Sequence, residues 1–291
     1  MRRFEAKRSL SCRVWEARAP LAGSSQILAV PTPAPGAPPP PRQMAARRTG
    51  QRGRGEGSKK KDMINKMRTA QEAVAGIQDG MTVMVGGFLG TGTPEILIDA
   101  LVAKGVKHLT VIANDGGLPA SVTGTTDRGV AKLLSAGMID HIIASHVGMN
   151  PIIGKGMNDG TLKCTLVPQG SLAEKIRAAG AGLGGVLTPT GVGTIIADGK
   201  ETLTIEGKQY LLELPLHADY ALCRASICDK FGNFSCYKAT KNFNHVMAMA
   251  ADTVILGAEK VVEIGEVDVD TFTTAGVYVN YIVGGEQPWQ I

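Results

Sequence analysis

Two rhythms of apolar and polar positions alternate along residues 63–180. Apolar runs at Thr82 to Val85, Leu109 to Ala113, Ile139 to Ser145 and Lys163 to Val167 are too short for helices, and their β-branched content marks them as buried strands. The segments between them have helical spacing. Thr69-Ala70-Gln71-Glu72 has the spacing of a capping box and predicts a helix that runs through Ala73, Val74 and Ile77 and stops near Asp79-Gly80. Pro94 opens a second helix, with Ile96, Leu97, Leu101 and Val102 on one face. Further helices are predicted around Val130 to Ala136, near Met157, and over Leu172 to Ala179. Helices interleaved with apolar strands predict an α/β fold, a mostly parallel sheet covered on both faces.

Beyond Gly180 the rhythm changes. Thr202 to Ile205 and Gln209 to Leu212, joined through Glu206-Gly207, read as a β-hairpin, followed by strands at Tyr220 to Ala225, Thr253 to Leu256 and Val277 to Val283. Residues 63–291 contain no internal repeat and no linker, so they are read as one α/β domain.

Charge separates the first 62 residues from the rest. They hold 14 Lys/Arg against 4 Asp/Glu, leaving 17 basic and 22 acidic residues in 63–291. With a Pro-Ala run from Pro31 to Pro41 and an Arg-Gly-Lys block from Arg47 to Lys61, the head cannot bury enough apolar surface to offset its ordering entropy and is expected to be disordered. It could be a transit peptide, a basic tail, or translated upstream DNA. The third reading is preferred, because Lys59-Lys60-Lys61-Asp62 requires a nearly all-purine coding stretch just before Met63. The acidic remainder has no bulk attraction for nucleic acid or an anionic membrane. Five cysteines, without a C-x-x-C pair, suit a reducing compartment, and a cytoplasmic protein is expected.

The densest chemical signal is Val85-Gly86-Gly87-Phe88-Leu89-Gly90-Thr91-Gly92-Thr93-Pro94, a strand, four glycines in seven residues, then a helix start. Glycines let a backbone approach a ligand, and free amides at a helix N-terminus favour an anion. A tight turn without a ligand is the plainer alternative, but it needs fewer glycines. Gly87 and Gly92 have the outer spacing of a P-loop, yet Thr93 stands where the phosphate-binding lysine belongs. Gly180-Ala181-Gly182-Leu183-Gly184-Gly185 matches G-x-G-x-x-G but follows a helix instead of a strand, which argues against dinucleotide binding; the loop around it is expected near the site, at a subunit boundary, or as a plain connection. The five histidines and Cys223, Cys228 and Cys236 match no ligand spacing, and packing roles are expected for them.

Asp79 to Pro94 is similar throughout to the signature of the alpha subunit of family I CoA-transferases, the acetate or butyrate–acetoacetate type. Ile112-Ala113-Asn114-Asp115, Ala144-Ser145-His146-Val147-Gly148, Val167-Pro168-Gln169-Gly170-Ser171-Leu172, Thr188-Pro189-Thr190-Gly191-Val192-Gly193-Thr194 and Lys241-Asn242-Phe243-Asn244 resemble it in the same order. His245 and Ala275 depart from it, each where the family usually has Pro or Thr-Pro-Gly. The resemblance implies a Rossmann-like fold related to ribose-phosphate isomerases, with Gly86, Gly87, Phe88, Leu89, Gly90, Thr91 and Gly92 as the CoA-binding segment. It implies CoA as substrate with no separate cofactor, exchange between acids such as acetate, acetoacetate and butyrate, and a catalytic glutamate in a Ser-Glu-Asn-Gly motif of a beta subunit. That motif is absent here, so no catalytic residue is assigned and an α2β2 heteromer is expected. Most of Glu72, Glu95, Glu174, Glu213, Glu259, Glu263 and Glu266 are read as solvated. A sugar-phosphate isomerase of the same fold and a non-catalytic small-molecule-binding regulator are the alternatives.

Overall fold

The computed structural model describes residues 65–284, and the expectations for residues 1–62 lie outside the described residues. All described residues fall within one unit, Lys60–Ile291.

The chain enters through helix α1, Ala70–Val74, where Thr69 Oγ1 accepts from the Glu72 amide and Glu72 caps Thr69 in return. The helix is shorter than its spacing predicts. Ile77 is buried beyond its end, because the chain must turn through Gly80 to enter strand β1, Thr82–Val85. Helix α2, Glu95–Lys104, leads to β2, Leu109–Ala113. Its buried face is Leu97, Ile98 and Leu101, while Ile96 and Val102 lie at its margins, a rotation of the predicted face. After the short helices α3, Ala120–Thr123, and α4, Val130–Ser135, come β3, Ile139–Ala144, α5, Pro151–Asp159, β4, Lys163–Leu166, and α6, Gln169–Gly180.

From Val186 the chain makes a separate antiparallel sheet from β5, Val186–Thr188, β6, Thr202–Ile205, and β7, Lys208–Glu213, in the order β5-β7-β6. The β6–β7 connection is the predicted hairpin, with Glu206 at φ 50° and Gly207 at φ 76°, the positive pair a two-residue turn of type I′ requires. The chain returns through β8, Ala218–Ala225, the small strands β9, Ile227–Asp229, and β10, Phe234–Ser235, then helix α7, Asn244–Ala248. Strands β11, Ala251–Ala258, β12, Val261–Val262, and β13, Tyr281–Gly284, complete the described chain. The single strand expected over Val277 to Val283 is half of one: Gly276–Tyr278 is a 3-10 turn with Val277 71% exposed, and pairing begins at Tyr281.

The main sheet has the order β13-β11-β8-β1-β2-β3-β4, and every neighbouring pair is parallel. Side chains alternate across it. Val83, Val85, Val111 and Ala113 face a core shared with α1, α2 and α4, whereas Met84 and Ile112 face a second core with α6 and α7. Among the described residues no helix is long and apolar enough to cross a membrane. Val85 pairs with Ala113 on one side and Leu222 on the other, so Gly86 and Asn114 leave the carboxyl edge of the sheet at the same level, while β8 runs on to Ala225 beside them. In open α/β sheets that edge is where ligands bind.

Candidate active site

Gly86 leaves β1 with its amide still bonded to the Leu222 carbonyl at 2.9 Å, and the chain then folds back on itself. Phe88 and Thr91 exchange both backbone hydrogen bonds at 2.9 Å, with Leu89 at φ 45° and Gly90 at φ 82° between them. A leucine in the left-handed region is strained, and such strain concentrates where the surroundings impose it for function. Here the imposing group is Asp115, which is buried just past the end of β2. Its Oδ2 accepts the Leu89 amide at 2.8 Å and the Asn114 side-chain amide at 3.2 Å, and its Oδ1 accepts the Gly117 amide at 2.7 Å.

The other side of the loop is held by asparagines from the opposite end of the sequence. Asn242 Nδ2 donates to the Thr91 carbonyl at 2.8 Å, and the buried Asn244 Nδ2 donates to the Gly92 carbonyl at 3.0 Å and to Thr240 at 2.9 Å. Asn244 Oδ1 accepts the Arg224 amide at 2.8 Å, tying the loop to β8. Two glycines have no room for a side chain: a Cβ at Gly86 would strike the Asn244 side chain, and one at Gly87, which sits at φ 116°, would strike Thr93.

With the Phe88, Leu89 and Thr91 amides engaged, the loop keeps four amides, Gly87, Gly90, Gly92 and Thr93, that donate to no protein acceptor among the described residues. They adjoin the N-terminus of α2 and a small pocket lined by Gly86 to Gly90, Asn114, Asp115 and Gly117. Phe88 is 44% exposed beside it. Fixed donors next to a helix N-terminus are an arrangement that can receive an anion or an oxyanion. All seven residues from Gly86 to Gly92 therefore lie in one strained hairpin. At the same edge, Ser145 Oγ donates to the Asn114 carbonyl at 2.8 Å and touches Gln169, so the ends of β2, β3 and β4 share a polar network.

The glutamates divide. Glu72 and Glu174 stay on the surface, with Arg177 and the Thr69 cap as partners. Glu95 and Glu213 do not fit the solvated reading. Glu95 accepts the Gly129 amide at 2.8 Å and lies 2.7 Å from Lys132. Glu213 is 1% exposed, with Lys175 at 2.8 Å and Lys200 at 2.5 Å. Strand alternation on β7 turns it inward, an alternation hidden by the sheet's separation from the main core. Burial pushes its carboxyl up, but the hydrogen bonds and charges of the two lysines outweigh burial and hold it below the usual carboxylate range. This contributes stability above the unfolded pKa of about 4.3 that is lost as pH falls through the folded value. Glu213→Gln is expected to cost about 2 kcal/mol, less than a wholly buried pair because Lys200 reaches solvent, and the loss measured by urea denaturation at pH 7 should shrink as pH falls below the unfolded value of about 4.3 and vanish only below the lower folded value.

The remaining reactive side chains are packing groups. His141 Nε2 lies 2.8 Å from Thr165 Oγ1, and His108 pairs with Asp140 at the surface. Burial pushes the Cys228 and Cys236 thiols up to about 12, well away from a reactive thiolate. Among the described residues no three His, Cys, Asp or Glu side chains are grouped to hold a metal ion.

The family model described as Coenzyme A transferase matches residues 67–285. The chain belongs to the coenzyme A transferase family. This CoA-transferase chain is 46% identical over 225 residues to the acetate CoA-transferase subunit alpha of Escherichia coli K12, covering 77% of this chain and 99% of that protein. It is 50% identical over 206 residues to the acetoacetyl-CoA:acetate/butyrate CoA transferase alpha subunit of Clostridium acetobutylicum, covering 71% and 91%. Its fold matches a crystal structure of an acyl-CoA transferase from Escherichia coli O157:H7, a thioester complex with CoA, at a TM-score of 0.68 and 24% identity, over 78% of this chain and 48% of that one. In this CoA-transferase chain the positioning groups Asp115, Asn242 and Asn244 complete the loop. All three lie in stretches that carry the family resemblance, Ile112-Ala113-Asn114-Asp115 and Lys241-Asn242-Phe243-Asn244, but nothing in those stretches says that they hold the loop.

Proposed function

We propose that this chain is the alpha subunit of an acyl-CoA:carboxylate CoA-transferase that exchanges CoA between short-chain acids such as acetate, acetoacetate and butyrate, working with a beta subunit in a cytoplasmic α2β2 heteromer. The observation that carries the reading is the combination of four unpaired amides on a clamped hairpin with carboxylates that are already engaged: Asp115 by two backbone amides and Glu95 by Gly129 and Lys132. The relatives named above as alpha subunits support the need for a partner.

In this reading a partner glutamate attacks the thioester carbonyl, and the loop amides receive the negative oxygen that develops. The oxyanion collapses, the C–S bond breaks, and CoA leaves as thiolate from an acyl-glutamyl anhydride. The thiolate then attacks the glutamyl carbonyl, which frees the first acid and leaves an enzyme-bound glutamyl-CoA thioester. The second acid reverses both steps. No ATP is spent, because one acyl–sulfur bond is exchanged for another. Mass spectrometry of the complex after addition of acetyl-CoA should find the CoA adduct on the partner, with this chain unmodified and inactive alone. An adduct on this chain, robust turnover without a partner, or CoA bound far from Phe88 would overturn the proposal. Neither an isomerase nor a regulator has use for such a transfer, and the family match favours neither.

A further inference from the structure

The residue that opens α2 has the wrong charge for the site beside it. Glu95 stands two positions after Thr93, whose amide is one of the four free donors, and two residues span at most about 7 Å between Cα atoms. An acid in the first turn suits the helix, because it faces the positive end of the dipole. An anion arriving at the loop needs the same field, so the two compete. The acid has a use there: its Oε1 accepts the Gly129 amide at 2.8 Å. Gly129, at φ 62°, packs so closely on Thr93 that a Cβ would lie 3.2 Å from Thr93 Cγ2, and Gly129 and Val130 line the pocket under the hairpin. Glu95 thus pins the pocket wall to the helix that follows the loop. Its charge is met by Lys132 in the first turn of α4, with Nζ 2.7 Å from Glu95 Oε2 and 2.6 Å from Asp99 Oδ1. The Glu95 and Lys132 side chains are 19% and 23% exposed against 60% for Asp99, so water screens Asp99 while Glu95 depends on the lysine. Burial pushes the Lys132 ammonium down, but its hydrogen bonds to Asp99 and Glu95 and the charges of both outweigh burial and hold it above the usual lysine range.

We infer that Lys132 is a positioning residue of the transfer reaction: acting through Glu95, it cancels the charge of the carboxylate that pins Gly129, so that the pocket is held without repelling the oxyanion that forms on the loop amides. The inference rests on those amides receiving the oxyanion, as proposed above. The thioester carbonyl is neutral when it binds and gains its charge only on attack, so the effect belongs to the transition state. An ion pair that merely joined α2 to α4 would act on stability and leave the chemical step alone.

The test uses the assembled complex with its beta subunit, with assembly checked by size-exclusion chromatography. kcat and KM for transfer from acetyl-CoA to acetoacetate are measured in wild type, Lys132→Met, Lys132→Arg, the double variant Glu95→Gln/Lys132→Met, and Gly87→Val. Lys132→Met leaves Glu95 and Asp99 without a cation, and an uncompensated charge within about 10 Å of the oxyanion should lower kcat roughly 10- to 30-fold, with KM changed less than about threefold. The double variant has the wild-type net charge and keeps an acceptor oxygen for the Gly129 amide. Its kcat should return to within about threefold of wild type although the ion pair is gone. Lys132→Arg keeps the charge and should also recover most of the loss. A Lys132→Met complex with wild-type kcat, a loss carried by KM alone, or a double variant as slow as Lys132→Met overturns the inference. Failure of Lys132→Met to assemble, with the double variant assembled and fully active, also overturns it and assigns the pair to stability. Near-normal kcat in Gly87→Val removes the loop reading and this inference together, whereas an inactive Gly87→Val beside an unimpaired Lys132→Met removes this one alone.

Discussion

Gly87→Val is expected to abolish CoA transfer while the complex still assembles. Gly87 sits at φ 116°, where a β-branched residue is a strong outlier, and its Cα faces Thr93 so closely that a Cβ would lie 3.0 Å from the Thr93 Cα and collide with its hydroxyl. Something must move, and the cheapest movement is of the hairpin itself, since β1 is fixed on both sides by β2 and β8. Displacing the hairpin withdraws the amides of Gly87, Gly90, Gly92 and Thr93 together. Loss of one oxyanion donor costs roughly 100- to 1,000-fold in kcat, so loss of the set should leave less than about 0.1% of the activity. Size-exclusion chromatography of the variant with its partner should give the wild-type elution. A folded, assembled variant with more than about a tenth of normal kcat would show that the loop amides are not the donors.

Asp115→Ala is the second large effect, and it separates positioning from contact. Both carboxylate oxygens are spent on the protein: one on Leu89, which is strained at φ 45°, and one on Gly117. Removing them leaves the Leu89 strain uncompensated and lets the turn relax. The expected result is a fall in kcat of roughly 100-fold with KM changed only a few-fold, the pattern for an interaction that matters in the transition state more than in the ground state. Asp115→Asn keeps one acceptor oxygen and should recover about a tenth of the activity, whereas a residue whose only role was bulk packing would be rescued equally by Leu. Activity of Asp115→Leu equal to that of Asp115→Asn would therefore contradict a positioning role.

Much of this site was legible in the sequence, but only the part that is local. The Thr82 to Val85 strand, its glycines and Pro94 form one continuous stretch, and period, turn chemistry and helix-start signals all agree along it. The hairpin at Glu206-Gly207 was equally local. What could not be read was what holds the glycines in their shape. Asp115 looks like any polar residue after a strand, and only parallel pairing of β1 with β2 brings it to Leu89. Asn242 and Asn244 are separated from the loop by about 150 positions, and no periodicity links them. Glu213 was misjudged for a related reason: a charged residue at the end of a strand reads as surface until the two lysines that neutralise it are seen, and they come from α6 and from the turn before β6. The Val277 to Val283 run is as apolar as the true strands, yet the close packing of Gly276 on Asn233 and Phe231 fixes a turn at its start.

The asparagine clasp also dictates when the site can exist during synthesis. β1 is among the first strands to leave the ribosome, but one of its two neighbours, β8, and both asparagines are encoded far downstream. Until Ala225 has emerged the glycine hairpin lacks its second flanking strand, and until residue 244 it lacks its carbonyl partners, and a central parallel strand lacking a neighbour is an adhesive edge. A nascent chain halted before β8 is thus an unfinished sheet with β1 exposed at its edge, and chaperone occupancy should persist on it until β8 has been translated.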